Sequence, residues 1–190
     1  LLAILLLWFY STSFKKKFLI GNVIIAILTA WSIAIVYFSK FTVQEITHPA
    51  VSNASILQFA KLTLLYAAFA FILTLVREAL KDMEDMEGCQ TMPIVWGLKP
   101  TKVYLAVWTF VVIAMLAIIQ LYVIPFGWWY SVVYCFGCII FPLALVLFKL
   151  PTSYTHTHFR KLSAYIKIAM LAGILSILFF GLFSRKSEAR

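Results

Sequence analysis

Long apolar stretches alternate with short polar segments along the whole chain. Five of the apolar stretches are about twenty residues long, the length of an α-helix that crosses a bilayer. The first ten residues are apolar too but too few to cross, and we interpret them as the end of a further helix. We therefore predict an all-α fold, a polytopic transmembrane helix bundle in which residues 1–190 form a single domain. The predicted spans cover residues 18–38, 57–76, 102–122, 128–148 and 163–183.

The polar segments between the predicted spans are expected to be loops. The segment 149–161 is predicted to be the last long loop, and His156 and His158 would point the same way from an extended chain there. Two histidines without a third ligand are interpreted as loop residues. The segment 89–99 is predicted to be a short loop with helix-breaking residues in it and just after it: Pro93, Gly97 and Pro100.

Composition excludes a water-soluble domain. The chain is 64% hydrophobic and 12% charged, and its mean hydropathy is +0.99, values that soluble domains do not reach. The net charge of +9 would suit nucleic acid, but the basic residues flank the apolar spans, so no nucleic-acid partner is expected. The chain begins with Leu1 inside an apolar run that lacks the features of a signal peptide. We expect it to be the C-terminal part of a longer integral membrane protein.

Short connections make successive helices antiparallel, so alternate loops lie on the same side of the membrane. Segments 11–17, 77–102 and 149–167 share one side, and they hold most of the 16 Lys and Arg residues. Loops rich in Lys and Arg tend to remain in the cytoplasm. We therefore predict that this side of the protein is cytoplasmic.

The most unusual polar segment is residues 77–88, with the sequence REALKDMEDMEG, directly after the second predicted span. The chain contains seven acidic residues, and most of them lie here. If the helix continues through the segment, Glu78, Asp82 and Asp85 lie within an arc of roughly 60°. The spacing therefore predicts three carboxylates on one helix face.

Carboxylates crowded on one helix face repel each other unless a cation lies among them. Oxygen ligands of this kind suit Mg²⁺ or Mn²⁺ rather than zinc, and Mg²⁺ typically binds one or two carboxylates together with the phosphate oxygens of a substrate. Lys81 flanks the face, and Glu84 and Glu87 point away from it. An alternative interpretation is a solvated acidic loop paired with Arg77 and Lys81.

The surrounding charges indicate a substrate with an anionic head and an apolar tail. A metal held by carboxylates and surrounded by Lys and Arg neutralises the oxygens of a diphosphate, and the spans below offer an apolar slot. A transporter or ion-pathway protein, with the carboxylates as its ion site, is the alternative from another class. Transporter carboxylates usually lie near the middle of the bilayer, so a position at a helix end favours an enzyme.

Two runs of the acidic region resemble a known motif. The second aspartate-rich motif of the UbiA superfamily of intramembrane prenyltransferases resembles R-E-x-x-K-D-x-E-D-x-E-G at 77–88 and T-M-P-I-V-x-G at 91–97. The form is most similar to members that act as geranylgeranylglycerol-phosphate geranylgeranyltransferases. The loop before the fifth helix of the family resembles Tyr10-Ser11, the lysines at 15–17 and the run L-I-G-N at 19–22.

The resemblance implies a nine-helix bundle, of which this chain would hold the end of the fourth helix through the ninth. It implies Mg²⁺-assisted ionisation of a polyprenyl diphosphate, with geranylgeranyl diphosphate favoured, and prenyl transfer to a hydrophobic lipid or aromatic acceptor in the membrane. Metal-binding positions match Glu78, Asp82 and Asp85, and the candidate catalytic residues are Asp82, Asp85 and Lys81. The candidate diphosphate-binding residues are Tyr10, Ser11, Lys15, Lys16, Asn22 and Arg77, and the candidate head-group contacts are Arg160 and Lys161.

The chain departs from the family pattern in two places. The first aspartate-rich motif, of the N-x-x-x-D type, is absent, as expected if an N-terminal part of the protein lies outside this chain. The loop after Gly88 is shortened, because only Cys89 and Gln90 precede Thr91. A degenerate, inactive prenyltransferase is therefore an alternative, and this chain by itself is expected to be inactive.

Overall fold

The structure, a computed structural model, describes residues 20–40, 54–85, 92–127 and 129–188. No β-strand occurs in these ranges, so the prediction of an all-α fold is confirmed. The helices are α1 (Ile20–Lys40), α2 (Ala54–Glu84), α3 (Met92–Trp96), α4 (Leu98–Val123), a 3₁₀ turn (Ile124–Phe126), α5 (Trp129–Tyr134), a π-helical segment (Cys135–Ile140), α6 (Phe141–Lys149) and α7 (His156–Glu188).

Within the described ranges, four helical stretches are long and apolar enough to cross a membrane by length and composition. They match the first four predicted spans, and the fifth, 163–183, lies inside the continuous helix α7. Hydrocarbon offers no hydrogen-bond partners to the backbone, so apolar stretches of this length form helices. The polytopic helical architecture follows from this constraint. The four stretches are Ile20–Ser39, Phe59–Glu84, Leu98–Val123 and Trp129–Lys149.

The chain divides into two units, Leu1–Leu75 and Val76–Arg190. In the first unit, the rings of Tyr37 on α1 and Phe59 on α2 stack with their centroids 6.2 Å apart. Aromatic pairs of this kind add about 0.5–1.5 kcal/mol to the burial of their surfaces. This stacked pair is a direct contact between α1 and the first part of α2.

In the second unit, α6 packs against both α4 and α7. The core contributed by these helices is aliphatic and aromatic, with Val112, Leu143, Phe159 and Ile166 fully buried. The Tyr134 hydroxyl donates a hydrogen bond to the carbonyl oxygen of Ala172 over 2.8 Å. This bond connects α5 to α7. A hydroxyl that is shielded from water in a membrane needs such a partner inside the protein.

The span from Trp129 to Lys149 is not a uniform α-helix. It contains the π-helical segment Cys135–Ile140, at whose end the Phe141 N–H donates to the Phe136 carbonyl, five residues back. Pro142 follows directly, and its ring lacks an N–H and clashes with the preceding turn of a regular helix. The wider π turn relieves that clash, so the helix passes Pro142 without breaking.

The predicted loop at 89–99 is only partly correct. Pro93 is the second residue of α3, and Pro100 lies in the first turn of α4, so neither residue breaks a helix. The first four N–H groups of a helix have no intrahelical partner, which is why proline is tolerated there. Gly97 does separate the two helices as predicted, with φ 89° and ψ 163°.

The predicted loop at 149–161 is also shorter than expected. Helix α7 begins at His156, so His156 and His158 belong to its first turn. At about 100° per residue they project roughly 200° apart, and both are exposed. The expectation that the two imidazoles point the same way is therefore wrong, because the segment is helical and not extended.

Gly97 and Gly127 both have positive φ but differ in what they tolerate. Gly97 (φ 89°, ψ 163°) lies in a region open essentially to glycine alone, whereas Gly127 (φ 74°, ψ 16°) is in the left-handed helical region that asparagine also adopts. We expect Gly97→Asn to cost about 1–3 kcal/mol of stability and Gly127→Asn clearly less. Thermal unfolding in detergent micelles measures both, and equal losses of Tm would contradict this account.

Candidate active site

The acidic segment continues the helical spacing of α2. Helix α2 runs to Glu84, and the Asp85 N–H donates to the Lys81 carbonyl oxygen over 2.8 Å, which extends the helical pattern by one residue. Glu78, Asp82 and Asp85 therefore keep the i, i+4, i+7 spacing that places them on one face.

The opposite face of the same helical turns is apolar and packed inside the protein. Val76, Leu80 and Met83 are fully buried. On the acidic face the exposure increases along the helix, from the buried Glu78 through the half-buried Asp82 to the exposed Asp85. The apolar face fixes the helix in the protein, and the acidic face leads from the interior to the surface.

Glu78 is balanced by its neighbour in sequence. The Arg77 Nη1 lies 2.6 Å from Glu78 Oε1, and the two side chains are 35% and 9% exposed. A buried carboxylate without a counter-charge is strongly unfavourable. The ion pair therefore explains how Glu78 remains inside the protein, and it commits Arg77, a candidate diphosphate ligand, to this carboxylate.

The metal-binding capacity of the acidic face is limited by the rise of the helix. Within the described ranges, no group of three His, Cys, Asp or Glu residues lies close enough to hold a metal ion. At 1.5 Å per residue, Glu78 and Asp85 are separated by roughly 10 Å along the axis. Adjacent members, Glu78 with Asp82 or Asp82 with Asp85, are one helical turn apart and can offer two carboxylates to one ion.

This set of oxygen donors suits Mg²⁺ better than it suits a softer metal. Mg²⁺ binds oxygen ligands, uses one or two carboxylates, and completes its coordination with water and substrate phosphate. Asp82 and Asp85 would be the accessible pair, since Glu78 is buried and paired with Arg77. The assignment of Glu78, Asp82 and Asp85 as metal ligands remains a prediction.

A basic helix end lies beside the acidic segment. Arg160 Nε is 4.0 Å from Glu84 Oε1, with Arg160 78% exposed, so α7 begins next to the end of α2. Such an exposed, long ion pair contributes little to stability. Arg160 thus approaches Glu84, which projects away from the acidic face, and Lys161 is exposed on the same turn.

The start of α4 reaches the same end of the second unit. Lys102 Nζ donates to the Pro151 carbonyl oxygen over 3.0 Å and lies 3.7 Å from the centroid of the Tyr154 ring. Together with the Arg160 contact, this places the end of α2, the start of α4 and residues 151–160 at one end of the second unit, as the alternation of the spans predicted. The contact between Lys102 and Tyr154 was not predicted. The alternation of loops indicated only that the two segments lie on the same side.

Several predicted diphosphate ligands lie outside the described residues: Tyr10, Ser11, Lys15 and Lys16. The same holds for Glu87 and for the shortened loop after Gly88. Asn22 lies in the first turn of α1 in the first unit, and it has an interaction partner. Lys81 is exposed beside the acidic face.

Taken together, these features define a polytopic helical membrane protein with an acidic helix end surrounded by basic side chains. No family model matches the chain, and no solved structure matches it. The chain is, however, similar over most of its length to several curated prenyl-transferring enzymes.

The relatives share one name, digeranylgeranylglyceryl phosphate synthase. The enzyme of Methanosphaera stadtmanae is 30% identical over 181 residues, which cover 93% of this chain and 59% of the relative. The enzyme of Methanothermobacter thermautotrophicus is 31% identical over 125 residues, covering 63% of this chain and 38% of the relative. The enzyme of Sulfurisphaera tokodaii is 25% identical over 178 residues, covering 92% and 57%.

The chain is therefore homologous to UbiA-type prenyltransferases over about nine-tenths of its length. This confirms the resemblance drawn from the acidic segment and from the run that follows it. The chain spans less than three-fifths of the length of these relatives.

The Arg77–Glu78 pair provides a stability test. We expect Arg77→Gln to destabilise the protein by about 1–3 kcal/mol, because it leaves a buried carboxylate unpaired. The matched variant Arg160→Gln removes an exposed pair and should cost less than about 1 kcal/mol. Denaturation in detergent measures both changes.

A second substitution checks the cause. Glu78→Gln in the Arg77→Gln background should recover part of the lost stability, since a neutral amide needs no counter-charge. A double variant less stable than Arg77→Gln alone would rule out the unpaired carboxylate as the cause.

Proposed function

We propose that the protein transfers a prenyl group from a polyprenyl diphosphate, with geranylgeranyl diphosphate favoured, to a glycerophosphate-type lipid within the membrane. The homology over nine-tenths of the chain to synthases of digeranylgeranylglyceryl phosphate carries this proposal. A product with two geranylgeranyl groups on one glyceryl phosphate fits the addition of one such group to a lipid that already bears the other. The same homology favours prenyl transfer over the ion-pathway alternative.

The placement of charge suits an amphiphilic donor. The prenyl chain would lie among the apolar helices, and its diphosphate would meet the acidic face where it opens to the surface at Asp82 and Asp85. Mg²⁺ held there would supply positive charge to the departing diphosphate oxygens. The exposed Lys81 flanks this face and would add charge-assisted hydrogen bonds to the same oxygens.

The remaining candidate residues are proposed from the family resemblance. Tyr10, Ser11, Lys15, Lys16 and Asn22 are candidate diphosphate ligands on that basis. Arg77 would act mainly through Glu78, whose charge it balances.

In the reaction, the bond between the first prenyl carbon and the diphosphate oxygen breaks, and its electron pair leaves with the diphosphate. A hydroxyl oxygen of the acceptor then bonds to that carbon, and the hydroxyl proton passes to the released diphosphate. Arg160 and Lys161, at the start of α7, would attract an anionic acceptor head group toward the acidic helix end. Here the role of the protein is to bind, orient and balance charge.

We also propose that residues 1–190 belong to one transmembrane domain and that the acidic helix end faces the cytoplasm. The concentration of Lys and Arg at this end supports the orientation.

The carboxylate roles can be tested with matched variants of the full-length protein. Asp82→Asn and Asp85→Asn should each lower Mg²⁺-dependent diphosphate release from geranylgeranyl diphosphate by at least on the order of 100-fold. Glu84→Gln, on the same helix end but off the acidic face, should retain most of the activity. Chelation with EDTA should abolish release, and added Mg²⁺ should restore it. Equal loss in all three variants would argue against a specific acidic face.

The orientation can be tested with single cysteines in a background without other cysteines. Lys161→Cys should react with a membrane-impermeant maleimide in inside-out vesicles, and Tyr130→Cys, at the start of α5, in right-side-out vesicles. Both positions are exposed, so the vesicle orientation decides their labelling. The reverse pattern would place the acidic helix end outside the cytoplasm.

A further inference from the structure

Lysines near the acidic helix end are held by tyrosines. Lys102 Nζ lies over the Tyr154 ring at 3.7 Å, and Lys149 Nζ lies 5.2 Å from the Tyr165 ring centroid and 3.4 Å from its hydroxyl oxygen. Among the described residues, neither lysine forms an ion pair with a carboxylate. An aromatic face and a carbonyl attract an ammonium group without neutralising it. Neither contact brings a negative charge to the ammonium group.

Of the two lysines, Lys102 is better positioned to bind an anion. Its ammonium has three N–H donors, and one of them is used by the Pro151 carbonyl oxygen at 3.0 Å. The carbonyl and the ring approach from the segment between α6 and α7, whereas Lys102 extends from the second turn of α4. The ammonium is thus held between two parts of the second unit, with donors left for an anion.

The segment that holds Lys102 is itself well fixed. The hydroxyls of Thr152 and Ser153 donate to the Lys149 carbonyl oxygen over 3.1 and 2.7 Å. Leu150 and Ser153 are buried, with 1% and 3% exposure. A charge held in place before binding loses little conformational freedom when the ligand arrives, which favours affinity.

The location relates this charge to the acidic face. Tyr154 lies two residues before α7, and Arg160, in the second turn of α7, approaches Glu84 at the end of α2. The Cα atoms of Tyr154 and Arg160 are therefore separated by at most about 13 Å. An anion bound at Lys102 lies at the same end of the second unit as the proposed diphosphate site, but on side chains that offer no carboxylate for a metal.

We propose that Lys102, backed by Tyr154, binds the phosphate group of the acceptor lipid, a phosphomonoester on glycerol. The inference rests on the proposed function, in which the acceptor keeps its phosphate throughout the reaction. The donor diphosphate, which must ionise, uses metal and carboxylates, whereas a phosphate that only orients its lipid needs a fixed ammonium. Lys102 is thereby a positioning and specificity residue for the acceptor.

The test is lipid binding by the full-length protein in phosphatidylcholine nanodiscs. The probes are geranylgeranylglyceryl phosphate and geranylgeranylglycerol, which differ only in the phosphate. We expect Lys102→Gln to weaken binding of the phosphate form by about tenfold or more and to leave binding of the alcohol unchanged. Lys102→Arg should recover part of the affinity, and Lys167→Gln, which removes an exposed charge from α7, should have no effect.

Two variants separate the aromatic ring from its hydroxyl. Tyr154→Phe keeps the face that holds the ammonium and should bind like the unaltered protein, whereas Tyr154→Leu should weaken binding of the phosphate form alone. In turnover, Lys102→Gln should raise KM for the acceptor and leave KM for geranylgeranyl diphosphate within twofold.

Several results would overturn the proposal. These are unchanged affinity of Lys102→Gln for the phosphate form, equal losses for the phosphate form and the alcohol, or an equal effect of Lys167→Gln. Displacement of the phosphate form by phosphatidylglycerol as readily as by itself would show a general site for membrane lipids. Binding that depends on Lys102 in a protein without prenyl transfer would refute the proposed function and leave the phosphate site standing.

Discussion

Backbone hydrogen bonding in a hydrocarbon medium is the constraint on which the rest of this structure depends. Peptide groups that face the hydrocarbon of the bilayer find their hydrogen-bond partners inside the helix to which they belong. Polar function therefore collects at helix ends, where side chains reach water. Helix α2 shows the result: its 31 residues run without a break from an apolar span into the acidic segment. The same unbroken helix holds the lipid-facing side chains and presents the carboxylates.

The charged side chains at this end of the protein differ in what holds them. Glu78 is buried and matched by Arg77 at 2.6 Å, so it contributes to structure. Asp85 is exposed at the end of the acidic face and can share a cation with Asp82. Lys102 is held by a carbonyl and a ring, so its charge is available for an anion. A cation at the carboxylates and an anion at Lys102 would therefore bind to separate side chains at the same end of the second unit.

The sequence specified those features that depend on local spacing. The lengths of the spans and the phase of Glu78, Asp82 and Asp85 along α2 follow from residue order and helix geometry alone. Predictions that depend on the position of a residue in its helix, or on contacts between distant parts of the chain, were wrong or were not made. Proline breaks a helix in most positions but not in the first turn, where Pro100 lies. The π turn before Pro142 relieves a steric clash, and a hydropathy pattern gives no sign of such a turn. The contact of Lys102 with Tyr154 joins residues far apart in sequence, which spacing cannot reveal.

The length of α2 links the position of its acidic end to the thickness of the bilayer. A helix of 31 residues measures about 46 Å, whereas the hydrocarbon core of a bilayer is about 30 Å thick. A helix longer than the core accommodates the mismatch by tilting, and a change in tilt would move the end of α2 relative to the lipid phosphates. In the proposed function, lipid composition would therefore set the height at which Asp82 and Asp85 meet the donor diphosphate, with no change in the protein itself.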